Sequence, residues 1–200
     1  MNTVAKLESL KNRTVGIAGC GGLGSNCAVA LVRAGVGKLV LADFDIVSQG
    51  NLNRQYFFLD QVGRKKVEAL SENLLRINPA LILECHDLKL EPESLVQHFS
   101  QCDVIVEAFD LATEKLMLIE TVLDKMPEKY LVSGVGLAGW GGNEQIRENR
   151  FGNLIVCGDL EHEVSEEFPP LAPRVGVVAN MQANAVLEIL LDILPALSSL

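Results

Sequence analysis

The stretch V-G-I-A-G-C-G-G-L-G-S, Val15 to Ser25, decides how the chain is read. Val15, Ile17 and Ala18 form a short apolar, β-branched run suited to a buried parallel strand. Gly19, Gly21 and Gly24 follow at G-x-G-x-x-G spacing. The first glycine permits a tight turn, the second lets backbone approach a phosphate, and the third lets a helix pack closely on the strand. The spacing predicts a helix over Leu23 to Ala34, stopped by Gly35-Val36-Gly37. Its unpaired N–H groups and positive dipole end point at the loop, which suits an anion. A second strand, Lys38 to Ala42, ends at Asp43. That acid falls roughly twenty residues past the glycines, where such folds hold a ribose hydroxyl. A lone glycine pattern would fit a tight turn beside a surface aspartate. Strand, helix and acid in register point instead to a nucleotide.

A nicotinamide dehydrogenase would share these features, and the next segment separates the two. Asp45, Asn51, Arg54 and Lys66 gather polar groups just after the second strand. Hydride transfer needs an apolar pocket for the nicotinamide ring. Two cations beside a nucleotide suit a reaction that moves a phosphoryl or nucleotidyl group, whose oxygens need neutralising as charge redistributes.

The remaining pattern is that of a doubly wound α/β fold: Rossmann-like, mainly parallel, with antiparallel strands at its C-terminal side. Met1 to Lys11 reads as a leading helix on the spacing of Val4, Leu7 and Leu10, with Arg13 at a solvated strand start. A loop with short helical turns spans 44–62. Gly63 begins a helix that Asn78-Pro79 ends after Ile77. This places Lys66 in the first turn, unfavourable for the dipole unless an anionic ligand compensates, with Lys65 facing solvent. Strands follow at Leu81 to Cys85, Asp103 to Glu107 and Tyr130 to Val135, and helices at Pro92 to Phe99 and Thr113 to Lys125. Asp110 falls just past the carboxyl end of the fourth strand, where open α/β sheets place ligands. Glu107 is either paired with a basic group or part of that site. The glycine-rich S-G-V-G-L-A-G-W-G-G, Ser133 to Gly142, wraps a bound group or simply turns, with Trp140 packed on the sheet or offered to a partner. Glu144 to Arg147 and Asn153 to Val156 read as two antiparallel strands. The acidic run Gly158 to Pro173 is a solvated loop or a lid. Arg174 to Leu194 is a helix apolar on nearly every face, hence buried on two sides, against the sheet and a second copy.

The 200 residues fit one domain, and 48% hydrophobic against 5% aromatic residues suit an aliphatic α/β core. A net charge of -9 argues against a nucleic-acid surface, which needs a basic patch. No apolar run appears long enough to span a bilayer, and no basic-then-apolar signal opens the chain, so the expected place is the cytoplasm. Five cysteines, Cys20, Cys27, Cys85, Cys102 and Cys157, form no C-x-x-C pair, so no zinc site and no disulfide is expected. Cys157 reads as a small buried side chain, with Asp159, Glu161 and Glu163 opposing a thiolate. His86, His98 and His162 are dispersed along the chain and suggest no metal cluster.

G-C-G-G-L-G-S, D-F-D-x-V, N-L-N-R-Q and G-x-x-K, in this order, resemble the family of ThiF, MoeB, HesA and the ubiquitin-activating enzymes. The resemblance covers most of the chain. It implies adenylation, with ATP and Mg²⁺, of the C-terminal glycine carboxylate of a small ubiquitin-like protein. It implies that Gly19, Gly21, Gly22 and Gly24 lie against ATP, with Asp43 on the ribose. It implies that Asn51, Arg54 and Lys66 hold the phosphates, with Asp45 beside them, and that Asp110 serves magnesium and the reacting centre. Arg54, Lys66 and Asp110 are thus the expected catalytic groups, and a homodimer is the expected assembly. Leu111 stands where the family often has Asn. Many relatives carry two zinc-holding C-x-x-C pairs, absent here. The short length, that absence and the ending P-R-V-G-V-V-A-N-M-Q-A-N look most like a small ThiF subgroup acting on a ThiS-like sulfur carrier with a Gly-Gly tail, in thiamine thiazole synthesis. Two other readings stay open: TcdA-like adenylation of a small molecule or tRNA base, and a non-catalytic partner of an activating enzyme.

Overall fold

A computed structural model describes residues 2–162 and 164–194. Met1, where the leading helix was expected to start, and Glu163, one of the acids expected near Cys157, lie outside the described residues. The chain runs α1 (Thr3–Ser9), β1 (Thr14–Ala18), α2 (Gly22–Ala34), β2 (Lys38–Ala42), α3 (Lys66–Ile77), β3 (Ile82–His86) and α4 (Pro92–Phe99). It continues through β4 (Val104–Glu107), α5 (Ala112–Lys125), β5 (Tyr130–Val135), β6 (Arg147–Phe151), β7 (Leu154–Gly158) and α6 (Ala172–Glu188), with a π-helical turn at Ile189–Ile193. One seven-stranded sheet has the order β3-β2-β1-β4-β5-β7-β6. Every neighbouring pair is parallel except β6 with β7. The fold is Rossmann-like and doubly wound.

Alternation along the strands divides the core in two. Val15, Ile17, Leu39, Leu41, Val104 and Val106 pack with residues of α2, α3 and α6. Ala18, Val40, Ala42, Ile105 and Leu131 face the other way, onto Leu95 and Phe99 of α4 and Leu118 and Val122 of α5. Helices therefore cover both faces, as a parallel sheet requires. Strand order reverses between β1 and β4, and the crevice outside their carboxyl ends is the place where such sheets bind ligands.

Several expectations are corrected. Val4 and Leu7 are exposed and only Leu10 of the N-terminal stripe is buried, because a 3₁₀ turn at Leu10–Asn12 swings that side chain inward. Arg13 is buried and paired with Asp103 at 3.1 Å rather than solvated. The helix ending at Ile77 starts at Lys66, not Gly63. The segment at Asn143–Gln145 is a 3₁₀ turn, and the first strand of the expected antiparallel pair begins at Arg147 rather than Glu144. Trp140 is 71% exposed and does not pack on the sheet. The helical span Ala172–Ile193 is 22 residues long and contains an 18-residue stretch of mean hydropathy 1.2, long and apolar enough to cross a membrane by those criteria alone. In the fold its buried Val178, Ala179, Ala183, Val186, Ile189 and Leu190 belong to the core shared with α2.

Candidate functional site

The glycine loop fits its place sterically. Gly19 takes φ +94°, and a Cβ there would stand 2.8 Å from the Ala108 carbonyl oxygen. A Cβ on Gly24 would stand 1.8 Å from the Gly19 carbonyl oxygen, so only glycine lets α2 approach β1 this closely. Gly21 caps α2 without a side-chain hydrogen bond, leaving the first-turn N–H groups open toward the crevice.

Asp43 ends β2 and is buried. Its Oδ2 accepts from the Cys20 N–H at 2.6 Å and its Oδ1 from the Asp45 N–H at 2.8 Å. The acid thus fastens the glycine loop to the end of β2. Burial pushes its carboxyl above the usual value, against the pull of Lys66 and those two N–H donors. Lys66, buried at the N-terminus of α3, donates to Asp45 Oδ2 at 2.7 Å, and the Asp45 side chain is half exposed. Arg54 donates to Asn53 Oδ1 at 2.8 Å and to the Gly50 carbonyl at 3.2 Å. Asn51 Oδ1 accepts from the Ser48 N–H at 3.0 Å, closing a capping box in the same loop.

A cavity of about 780 Å³ opens over this crevice. Gly19, Gly21, Gly22, Asp43, Asp45, Arg54, Lys66 and Asp110 all border it. Gly24 and Asn51 are not on its wall: Gly24 acts from beneath by admitting α2, and Asn51 shapes the loop that carries Arg54. Asp110 is exposed at the opening of α5.

Other wall residues escaped the sequence reading. Gln55 borders the cavity, and its buried Oε1 has no hydrogen-bond partner. An unmet acceptor in a cavity wall calls for a donor from a ligand. Lys115 donates to Glu107 Oε2 at 2.6 Å and to the Gly134 carbonyl at 2.9 Å. Glu107, fully buried, also accepts from Ser133 Oγ at 2.6 Å and the Phe109 N–H at 2.7 Å. Of the two readings of Glu107, the fold gives the ion pair, set one turn inside α5 at the cavity edge. The signal was present: an acid at a strand end and a lysine eight residues on.

The acidic run is not simply a solvated loop. Leu160, His162, Val164 and Pro170 border the cavity, and Asp159 is buried against Arg174. Arg174 also donates to the Gly136 carbonyl at 3.1 Å and the Gly141 carbonyl at 2.6 Å. One guanidinium therefore ties the glycine-rich loop to the acidic loop across the far wall. Burial raises the Asp159 carboxyl, but the Glu161 N–H, His162 and Arg174 outweigh it and hold it below the ordinary value. The Cys157 thiol is buried and pushed up to about 12, by burial first and then by Glu148 across the β6–β7 pair.

Comparison with known proteins gives a consistent result. The model of the ThiF family matches residues 2–199. Ubiquitin-like modifier-activating enzyme 5 of Drosophila mojavensis is 43% identical over 96% of this chain, and that of Xenopus laevis 30% over 96%; in each the match covers 54% of the relative. The chain thus spans about half the length of these curated relatives. Among solved structures, E. coli tRNA N6-threonylcarbamoyladenosine dehydratase, TcdA, in complex with ATP superposes with a TM-score of 0.83 at 22% identity, over 92% of this chain and 88% of that one. E. coli MccB with ATP superposes with a TM-score of 0.72 at 24% identity, over 98% and 60%. At these identities the structural likeness speaks for the fold.

Proposed function

The chain belongs to the ThiF family, and from that premise we propose that its cavity binds ATP and adenylates the C-terminal glycine carboxylate of a ubiquitin-like protein. One observation carries the reading: an arginine, a buried lysine and a helix N-terminus border one cavity with a buried aspartate at its ribose end. Three sources of positive potential there suit a triphosphate. Asp43 has both oxygens engaged once, and each retains a lone pair for a ribose hydroxyl. Gln55 Oε1 is open to a donor from the nucleotide.

In this reading Arg54 and Lys66 hold the phosphates, with Lys66 exchanging Asp45 for a phosphate oxygen, while Asn51 keeps the Arg54 loop in shape. Asp110 fits magnesium, being an exposed carboxylate at the cavity mouth, a hard oxygen donor. The ion would supply neutralisation of the phosphate charge. The substrate carboxylate is already ionised at neutral pH and needs no general base. Its oxygen bonds to the α-phosphorus, the α–β bridge breaks, and pyrophosphate leaves with its charge on Arg54 and Lys66. Positioning and electrostatics carry the rate.

A ThiS-like sulfur carrier with a Gly-Gly tail is the finer assignment, supported by the sequence P-R-V-G-V-V-A-N-M-Q-A-N within α6. A homodimer is part of the same proposal. A second reading, adenylation of a tRNA base, is favoured by the extent of the superposition on TcdA and opposed by the net charge of -9. The intact Asp43, Asn51, Arg54, Lys66 and Asp110 oppose a non-catalytic role. Exchange of labelled pyrophosphate into ATP separates these outcomes. Exchange that requires a Gly-Gly-terminated carrier supports the proposal. Exchange that requires tRNA instead supports the second reading, and no exchange with either refutes both.

A further inference from the structure

Two histidines twelve residues apart, on consecutive elements, meet at the sheet edge. Glu84 and His86 alternate on β3, the outermost strand, and pair in register with Val40 and Ala42. Those two residues face α4, so Glu84 and His86 point to the same side. Leu95 and Phe99 of α4 are fully buried there and fix the helix in position, which brings His98 over the strand. The His86 and His98 ring centroids lie 3.8 Å apart. His86 Nε2 is 3.0 Å from Glu84 Oε1. One donor atom from each of Glu84, His86 and His98 lies within 4.8 Å of the others, and all three residues are partly buried. Glu84 Oε2 is turned aside to Lys38 at 3.1 Å.

We propose that Glu84, His86 and His98 form a site for a divalent transition ion of the zinc type, separate from the nucleotide cavity. Two imidazoles and one carboxylate favour such an ion over calcium or magnesium, which prefer oxygen alone. Bonds of about 2.0–2.2 Å place tetrahedral ligand atoms about 3.3 Å apart, so modest side-chain rotation closes the set. Water completes the fourth position on the open side. The ion cross-links edge strand β3 to α4, the helix that follows it after the loop 87–91, and stabilises the fold by binding the native state alone. This set was invisible to spacing rules: His86 and His98 are twelve residues apart and sit on different elements.

The test uses the full chain, stripped with chelator and titrated with Co²⁺ and then Zn²⁺. One equivalent of Co²⁺ should give the visible bands of a tetrahedral site, Zn²⁺ should displace it, and the melting temperature should rise with zinc. His98→Asn and Glu84→Gln, checked for native circular dichroism, should each weaken binding on the order of tenfold or more. Cys85→Ser, which removes the exposed thiol between the two strand ligands, should leave it intact. No tetrahedral spectrum, affinity unchanged in His98→Asn, or binding lost in Cys85→Ser would each overturn the proposal.

Discussion

Lys66 is the residue on which the site turns. Its ammonium is buried at a helix N-terminus, an unfavourable place for a cation, and it pairs with the half-exposed Asp45. An incoming phosphate relieves both conditions. Lys66→Ala and Arg54→Ala should each lower kcat/KM for adenylation by about 10²–10³-fold, as loss of a transition-state charge partner does, with the melting temperature nearly unchanged. Lys65→Ala, whose ammonium pairs with Asp87 at the surface, should leave both as they are. Asp159 yields a prediction about pH. Its carboxyl is held below the ordinary value, so the folded state binds its proton less readily than the unfolded chain. Its contribution to stability is complete above the unfolded value near 3.8 and is lost as pH falls through the lower folded value. Urea midpoints measured from neutral to acid pH should show this loss in the native chain, and Asp159→Asn should remove that part of the slope.

Among the elements, α2 depends most on a missing side chain. Gly24→Ala would place its Cβ 1.8 Å from backbone, and the helix must shift off β1. We expect destabilisation of at least about 1–3 kcal/mol, the range of overpacked sites, and a loss of ATP affinity with it. Phe99→Ala in α4 should cost about 3–5 kcal/mol through its cavity, as read by denaturant unfolding, while ATP affinity stays near native. What was legible at this scale follows from period and punctuation. Strand β1, its glycines and the stop at Gly35 announce α2, and the apolar periodicity of Val67, Leu70 and Leu74 announces α3. What was not legible depends on tertiary partners. The Val4–Leu7–Leu10 stripe obeys helical spacing, yet only Leu10 finds the core. Arg13 looks like a surface cation until Asp103, ninety residues on, is brought beside it. Arg174 reads as a helix start, and its tie between two loops exists only once β5, β7 and α6 are assembled.

For the molecule as a whole, the sheet order does the gathering. Placing β1 between β2 and β4 brings the glycine loop, Asp43 and Asp110 to one crevice, and that outcome followed from the pattern of alternating strands and helices. Asn51 stood in the motif, but its carbonyl oxygen caps a turn off the cavity wall. Gln55, with its buried unmet Oε1, became visible only in three dimensions. The histidine cluster at the β3 edge did too, because a dispersed sequence says nothing of which edge receives which helix. Calorimetric titration of the full chain with ATP and magnesium, repeated with NADH, tests the central claim directly. The account requires one ATP bound per chain, weakened at least tenfold in Lys66→Ala, and no uptake of NADH. Failure to bind ATP, or binding of NADH in the same cavity, would contradict it.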